Sequence, residues 1–175
     1  MIYFILFISL FAFAGCSKPD AMSKGYEEIG VFSKEMHKKH HWAVSGIGGL
    51  FDDTIEKFNL DYHVHKEADI AKARRNLVFG VEKFLYQVNN HEKTKPFLLN
   101  GCLEPQQLKF GVGFDYDKVT LPFEKRIVYA LLLEGKISYS IQRPDKFAHT
   151  FVLLETYEEA RQIVMNENPE LLQAH

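Results

Sequence analysis

Residues 55–90 read IEKFNLDYHVHKEADIAKARRNLVFGVEKFLYQVNN, and two periodicities meet inside them. From Ile55 the side chains alternate, with Phe58, Leu60, Tyr62 and Val64 to one side and Asn59, Asp61, His63 and His65 to the other. A period of two is that of a strand buried on one face. From Glu67 to Asn90 the interval becomes three and four. Ile70, Ala73, Leu77, Val81, Phe84, Leu85 and Val88 form one stripe, while Lys72, Arg75, Glu82, Lys83 and Asn89 point away. This is the strongest helix in the chain, and Asn89-Asn90-His91 and then Pro96 end it.

Upstream, Tyr26, Ile29, Phe32, Ser33, Met36 and His40 recur at helical spacing, so a first helix is expected from Tyr26. His41 to Ile47 then alternates, with Trp42 and Val44 on one face. Gly46, Gly48 and Gly49 punctuate the chain, and Asp52-Asp53 closes a turn into the strand at Ile55. The pattern is that of a hairpin with a glycine-rich connection.

Downstream, four more strands are expected. Leu108, Phe110, Val112, Phe114 and Tyr116 alternate, and residues 115–118 turn the chain. Ile127 to Leu133 is apolar on both faces, which places it centrally in a sheet. Glu134-Gly135 turns into Ile137, Tyr139 and Ile141, and Arg143-Pro144-Asp145-Lys146 turns again into Phe147–Leu154. Thr156 to Glu159 is a capping box opening a short last helix. The order α-β-β-α-β-β-β-β-α implies an α+β domain, a twisted antiparallel sheet of about six strands with the long helix packed on one face. The last four strands are expected to form a meander.

In a chain of 175 residues, 46% hydrophobic and 14% aromatic, there is material for one real core, and disorder is excluded for most of its length. A net charge of −2 leaves no electrostatic footprint for nucleic acid. Of the two cysteines, Cys102 lies in a Leu-Asn-Gly-Cys-Leu loop and reads as a small, half-buried apolar residue.

Residues 1–15 carry no charged side chain and are too few to span a bilayer, which takes ~20 apolar residues. They fit the apolar region of a signal peptide closing on Phe13-Ala14-Gly15-Cys16. These four residues resemble the lipobox of bacterial lipoproteins, with Phe13 where that family usually has Leu. The resemblance implies a signal peptide over 1–15, a lipidated Cys16 at the mature N-terminus, and membrane attachment in a bacterial cell envelope. Ser17, in place of Asp, implies the outer membrane. Residues 16–25 are polar with Pro19 and Gly25 and read as a tether, leaving 26–175 as the folded domain. Gly48-Gly49, the run Ala73 to Val78, Pro96-Phe97-Leu98 and Tyr157 to Ala160 look like uncharacterised lipoproteins of host-associated bacteria, a resemblance that carries no activity.

The histidines supply the candidate chemistry. His63 and His65 project from one strand face with Asp61, and a hairpin centred near Asp52 would set His41 opposite His63. Three imidazoles and a carboxylate suit zinc or copper. His37, His40 and His41 form a second group at helical spacing. Gly46 to Gly49 has no helix after it and two carboxylates beside it, so it reads as a bulge and not a phosphate loop. There is no Gly-x-Ser-x-Gly elbow and no His-Glu-x-x-His. The aromatics Phe110, Phe114, Tyr116, Tyr129, Tyr139 and Phe151 read mostly as core, with some lining a groove on the sheet face away from the helix. Arg74-Arg75 is a candidate carboxylate clamp. The leading expectation is a non-enzymatic envelope binding or assembly module for a protein or small ligand. Its competitor is a metal-binding or hydrolytic envelope domain using His41, Asp61, His63 and His65 with zinc.

Overall fold

A computed structural model describes residues 20–115, 119–143 and 149–172. The signal-peptide and lipidation expectations at 1–15 and Cys16 lie outside the described residues, as do Tyr116 and the turn residues 144–146. The described elements are α1 (Ala21–Glu35), a π-turn (Met36–His40), β1 (Trp42–Phe51), β2 (Ile55–Val64), α2 (Ile70–Asn90), β3 (Leu108–Phe114), β4 (Ile127–Leu133), β5 (Lys136–Gln142), β6 (His149–Thr156) and α3 (Tyr157–Glu167). The class is α+β, with one six-stranded sheet in the order β1-β2-β3-β4-β5-β6.

The sheet is antiparallel except between β2 and β3, which run parallel, Phe58 pairing with Leu108 and Val64 with Phe114. The reason is α2. A long crossover returns the chain to the end of β2 where it began, so the next strand must run the same way. The last four strands form the meander. Between β4 and β5, Glu134 and Gly135 both take positive φ, 50° and 75°, as a tight two-residue hairpin requires.

α1 begins at Ala21, five residues before the first periodic position at Tyr26, because the Asp20 carboxylate caps the free amide of Ser23. Ala21, Lys24 and Gly25 are buried, so the second half of the expected tether is helix. α2 begins at Ile70 where Asp69 accepts from the Lys72 amide, and Thr156 with Glu159 forms the capping box of α3. The glycines Gly46, Gly48 and Gly49 are inside β1. The turn is Asp52 to Thr54, and the bulge falls between Val44 and Gly46.

The core lies on one side of the sheet. Phe58, Leu60 and Tyr62 of β2 and Phe110 and Val112 of β3 are fully buried there. Phe84 of α2 meets Phe58 and Phe32 edge-on at 5.0 Å, and Trp42 stacks near Tyr62, Phe79 and Phe110. Gly80 lets α2 come close, since a methyl there would stand 2.7 Å from the Phe110 ring. Burial pushes the Tyr62 phenol up to about 12, partly offset by its hydrogen bond with Ser33.

Polar clamps tie the helices to this frame. Arg74 donates to both carboxylate oxygens of Glu155 at 2.8 and 2.9 Å, and the Tyr139 hydroxyl donates to the same group. Of the candidate pair Arg74-Arg75, Arg74 thus clamps a carboxylate of its own fold. Glu82 accepts from Tyr157 and Arg161, both at 2.6 Å, pinning α3 to α2. Glu28 is buried between α1 and the end of α2, where Gln87, His91 and Thr94 hydrogen-bond it. A buried carboxylate is tolerated only when partnered in this way.

Candidate functional site

The other face of the sheet carries the residues that alternate with the core. Lys57, Asn59, Asp61 and His63 come from β2, Lys109, Gly111 and Gly113 from β3, and Tyr129, Leu131 and Leu133 from β4. Ser138 and Ser140 of β5 and Phe151 and Leu154 of β6 complete it. On this face Asn59, His63, Leu133, Phe151 and Leu154 are open to solvent.

At its middle this face is polar and held flat. The Tyr129 hydroxyl donates to Asp61 Oδ1, and Lys109 Nζ donates to Asp61 Oδ2 at 3.0 Å. Both acceptor oxygens of Asp61 lie over backbone. A methyl on Gly111 would overlap Asp61 and Tyr129, and one on Gly113 would stand 2.9 Å from the His63 ring. These two glycines are therefore the floor on which three side chains rest. Burial first, then the Asp61 carboxylate, raise the Tyr129 pKa, so the phenol stays a proton donor. With one donor on each oxygen, the Asp61 carboxylate is held in a fixed orientation on this face.

Toward β6 the same face becomes apolar. Leu131, Leu133, Phe151 and Leu154, with Lys136 and Ser138, line a shallow basin of about 750 Å³. Phe151 is 73% and Leu154 65% exposed, the largest open apolar groups in the described chain. Among the described residues β6 is also a sheet edge, paired with β5 alone. From Thr150 to Leu154 it carries no charged residue, although edge strands are commonly blunted by charge or proline. The apolarity of β4 on both faces thus has two causes, a core on one side and an open basin on the other.

The expected histidine cluster does not assemble as foreseen. β1 pairs Ala43 with His63 and Trp42 with Val64, because the turn is centred on Asp53 and the two bulges, one on each strand, offset each other. His41 precedes the strand and closes the π-turn in a left-handed conformation, φ 59°. His65 Nδ1 lies 3.0 Å from Asp115, and Asp61 is taken by Tyr129 and Lys109. Among the described residues no group of three His, Cys, Asp or Glu side chains is placed to hold a metal ion. His37 and His40 sit in the π-turn, and His40 packs edge-on to Phe79 at 4.8 Å. Cys102 is exposed, contrary to the half-buried reading, because its loop lies outside the core.

Of the aromatic set, Phe110, Phe114 and Tyr139 are core, whereas Tyr129 and Phe151 belong to the open face. Lys109 and the paired glycines Gly111 and Gly113 were not singled out from sequence. The alternation of Gly with Phe and Val across LKFGVGF is the signal that could have found them. Among the described residues no helix is long and apolar enough to cross a membrane. No known protein family, curated protein or solved structure matches the chain.

Proposed function

We propose that the protein is a bacterial envelope lipoprotein, anchored through lipid on Cys16, that binds an extended apolar segment of a partner protein along β6. The lipobox-like Phe13-Ala14-Gly15-Cys16 supports the anchor. The observation that carries the binding reading is the edge of β6, uncharged from Thr150 to Leu154 and without a second partner strand among the described residues, beside an apolar basin. A partner strand added to β6 satisfies the free backbone groups of the edge, and alternate side chains give specificity. Leu131, Leu133 and Leu154 receive apolar side chains on the outward face. Lys109, Asp61 and Tyr129, two to four strands inward, form a polar border that limits how far a ligand spreads. The role is one of binding or assembly and not catalysis.

The test uses the full chain carrying a photo-crosslinking residue at Phe151, at Leu154 or, in the distant strand β2, at Asn59. Peptides of alternating Val and Thr serve as the probe. Saturable crosslinks from positions 151 and 154, lost in Val152→Pro, support the reading. Equal crosslinking from all three positions would refute it. The anchor has its own test in radiolabelled palmitate, which should enter the wild type and not Cys16→Ser.

A further inference from the structure

We infer that the partner strand of β6 is β6 of a second copy of this chain, added antiparallel about a two-fold axis between Val152 and Leu153. The inference rests on the proposed binding of an extended segment along β6 and names that segment. A two-fold contact needs a surface that is complementary to itself. β6 meets this condition because of its bulge. Phe151 pairs with Ser140 and Leu154 with Ser138, so both lie on the outward face although they are three residues apart, with Val152 as the extra residue. Thr150, Leu153 and Glu155 pair with Ile141, Tyr139 and Ile137, whose side chains are in the core.

Pairing about this axis sets Phe151 opposite Leu154 of the second copy, and Leu154 opposite its Phe151, all four on the outward face. The two most open apolar side chains among the described residues thereby cover one another, beside Leu131 and Leu133 of the basin. On the inward face Thr150 stands opposite Glu155 of the second copy, so no two carboxylates meet and each Glu155 keeps its Arg74. An axis through Val152 or through Leu153 would set Phe151 against the inward-facing Leu153 or Glu155, and the faces would not match. A single strand junction is narrower than the ~1,200–2,000 Å² that a stable interface buries. The pairing is therefore reversible, with the edge free in dilute solution and closed in concentrated solution.

The experiment uses the full chain in an excess of detergent micelles, with Cys16→Ser and Cys102→Ser removing the native thiols. One preparation carries Phe151→Cys and another Leu154→Cys, both at exposed positions where the melting temperature should be retained. Directly opposed residues of an antiparallel pair have Cα atoms ~4.5–5.5 Å apart, within reach of a disulfide. Position 151 and the same position of the second copy stand three residues, ~10 Å, apart along the strands, beyond that reach. Mild oxidation of the mixed preparations should give about tenfold more disulfide-linked dimer than either alone, and an excess of the alternating Val and Thr peptide should suppress it. Equal crosslinking within each separate preparation, or none in the mixture, overturns the inference. If the mixture stays uncrosslinked while positions 151 and 154 still crosslink the peptide, this inference falls and the binding reading stands. Failure with both peptide and second copy overturns both.

Discussion

Replacing Gly111 by Ala perturbs the open face at the point where its geometry is most constrained. The new methyl would overlap the Asp61 carboxylate and the Tyr129 hydroxyl, so their hydrogen bond must break. Both groups are ends of side chains on an open face and can swing into solvent. The cost is therefore mainly the lost contacts, without the full penalty of an overpacked core. A charged hydrogen bond contributes ~1.5–3 kcal/mol when buried, and here Asp61 and Tyr129 are only partly covered, which brings it to about 1–2. The Lys109 ion pair, more exposed still, adds no more than ~1. Removing a strand glycine returns about 0.5–1 kcal/mol. The net expectation is a loss of roughly 0.5–2 kcal/mol, a fall of a few degrees in Tm for a domain of this size. The distinguishing assay is spectrophotometric titration of tyrosinate. With Asp61 displaced and the ring exposed, Tyr129 should titrate lower, toward the ordinary ~10, and Tyr129→Phe should remove that transition. A Gly111→Ala variant as stable as the wild type, with an unmoved tyrosine titration, would refute the claim that Gly111 is the floor beneath this pair.

Arg74→Ala should cost about 3–5 kcal/mol in denaturant unfolding, because it strands the Glu155 carboxylate in a nearly closed environment. Arg74→Lys should recover only part of that, having lost the two-pronged contact. In Gly80→Ala the ~1 kcal/mol gained in helix propensity meets an unyielding contact 2.7 Å from Phe110. Overpacking costs about 1–3 kcal/mol, so the variant should be destabilised, and a gain in stability would contradict the packing of α2. Desolvation against Phe79, and then Lys83, lower the His40 pKa below 6.5, with Lys39 and His41 acting the same way and Glu35 opposing them. The folded state thus prefers neutral His40, and its stabilising contribution is complete above about pH 6.5 and is lost as pH falls through the lowered folded value. Histidine NMR should show the His40 imidazole titrating below the ordinary value of 6.5, and His40→Leu should flatten stability across that acidic range.

The fold was legible where one period ran unbroken. β2 and α2 could be read because Phe58 to Val64 and Ile70 to Val88 each obey one interval, and the meander because Glu134-Gly135 has the turn chemistry it needs. Position in the sheet was harder to read. Nothing local to β3 reveals that α2 makes its pairing with β2 parallel. In β1 the bulge beside Gly46 breaks the alternation, and the glycines imitate a loop inside a strand. The expected pairing of His41 with His63 failed because the turn is centred on Asp53 and not on Asp52, while the extra residues at Glu56 in β2 and Ser45 in β1 offset each other. α1 was read late because Ala21, Lys24 and Gly25 are buried without being strongly apolar, and a cap at Asp20 weighs little beside Pro19 in sequence. The groove suspected among the aromatics was legible in kind. Its members were not, because Tyr129 differs from Tyr139 only in which side of the sheet its strand position presents.

The central claim is that the β6 edge and the adjoining basin are a binding surface. The most direct measurement is the amide hydrogen-exchange rate along β6 in the full chain, with and without a saturating peptide of alternating Val and Thr. The outward-pointing amides between Thr150 and Leu154 have no partner strand among the described residues and should exchange fast alone, slowing at least tenfold with peptide, while β1 at the opposite edge stays unchanged. Equal protection at both edges, or none at β6, would contradict the account.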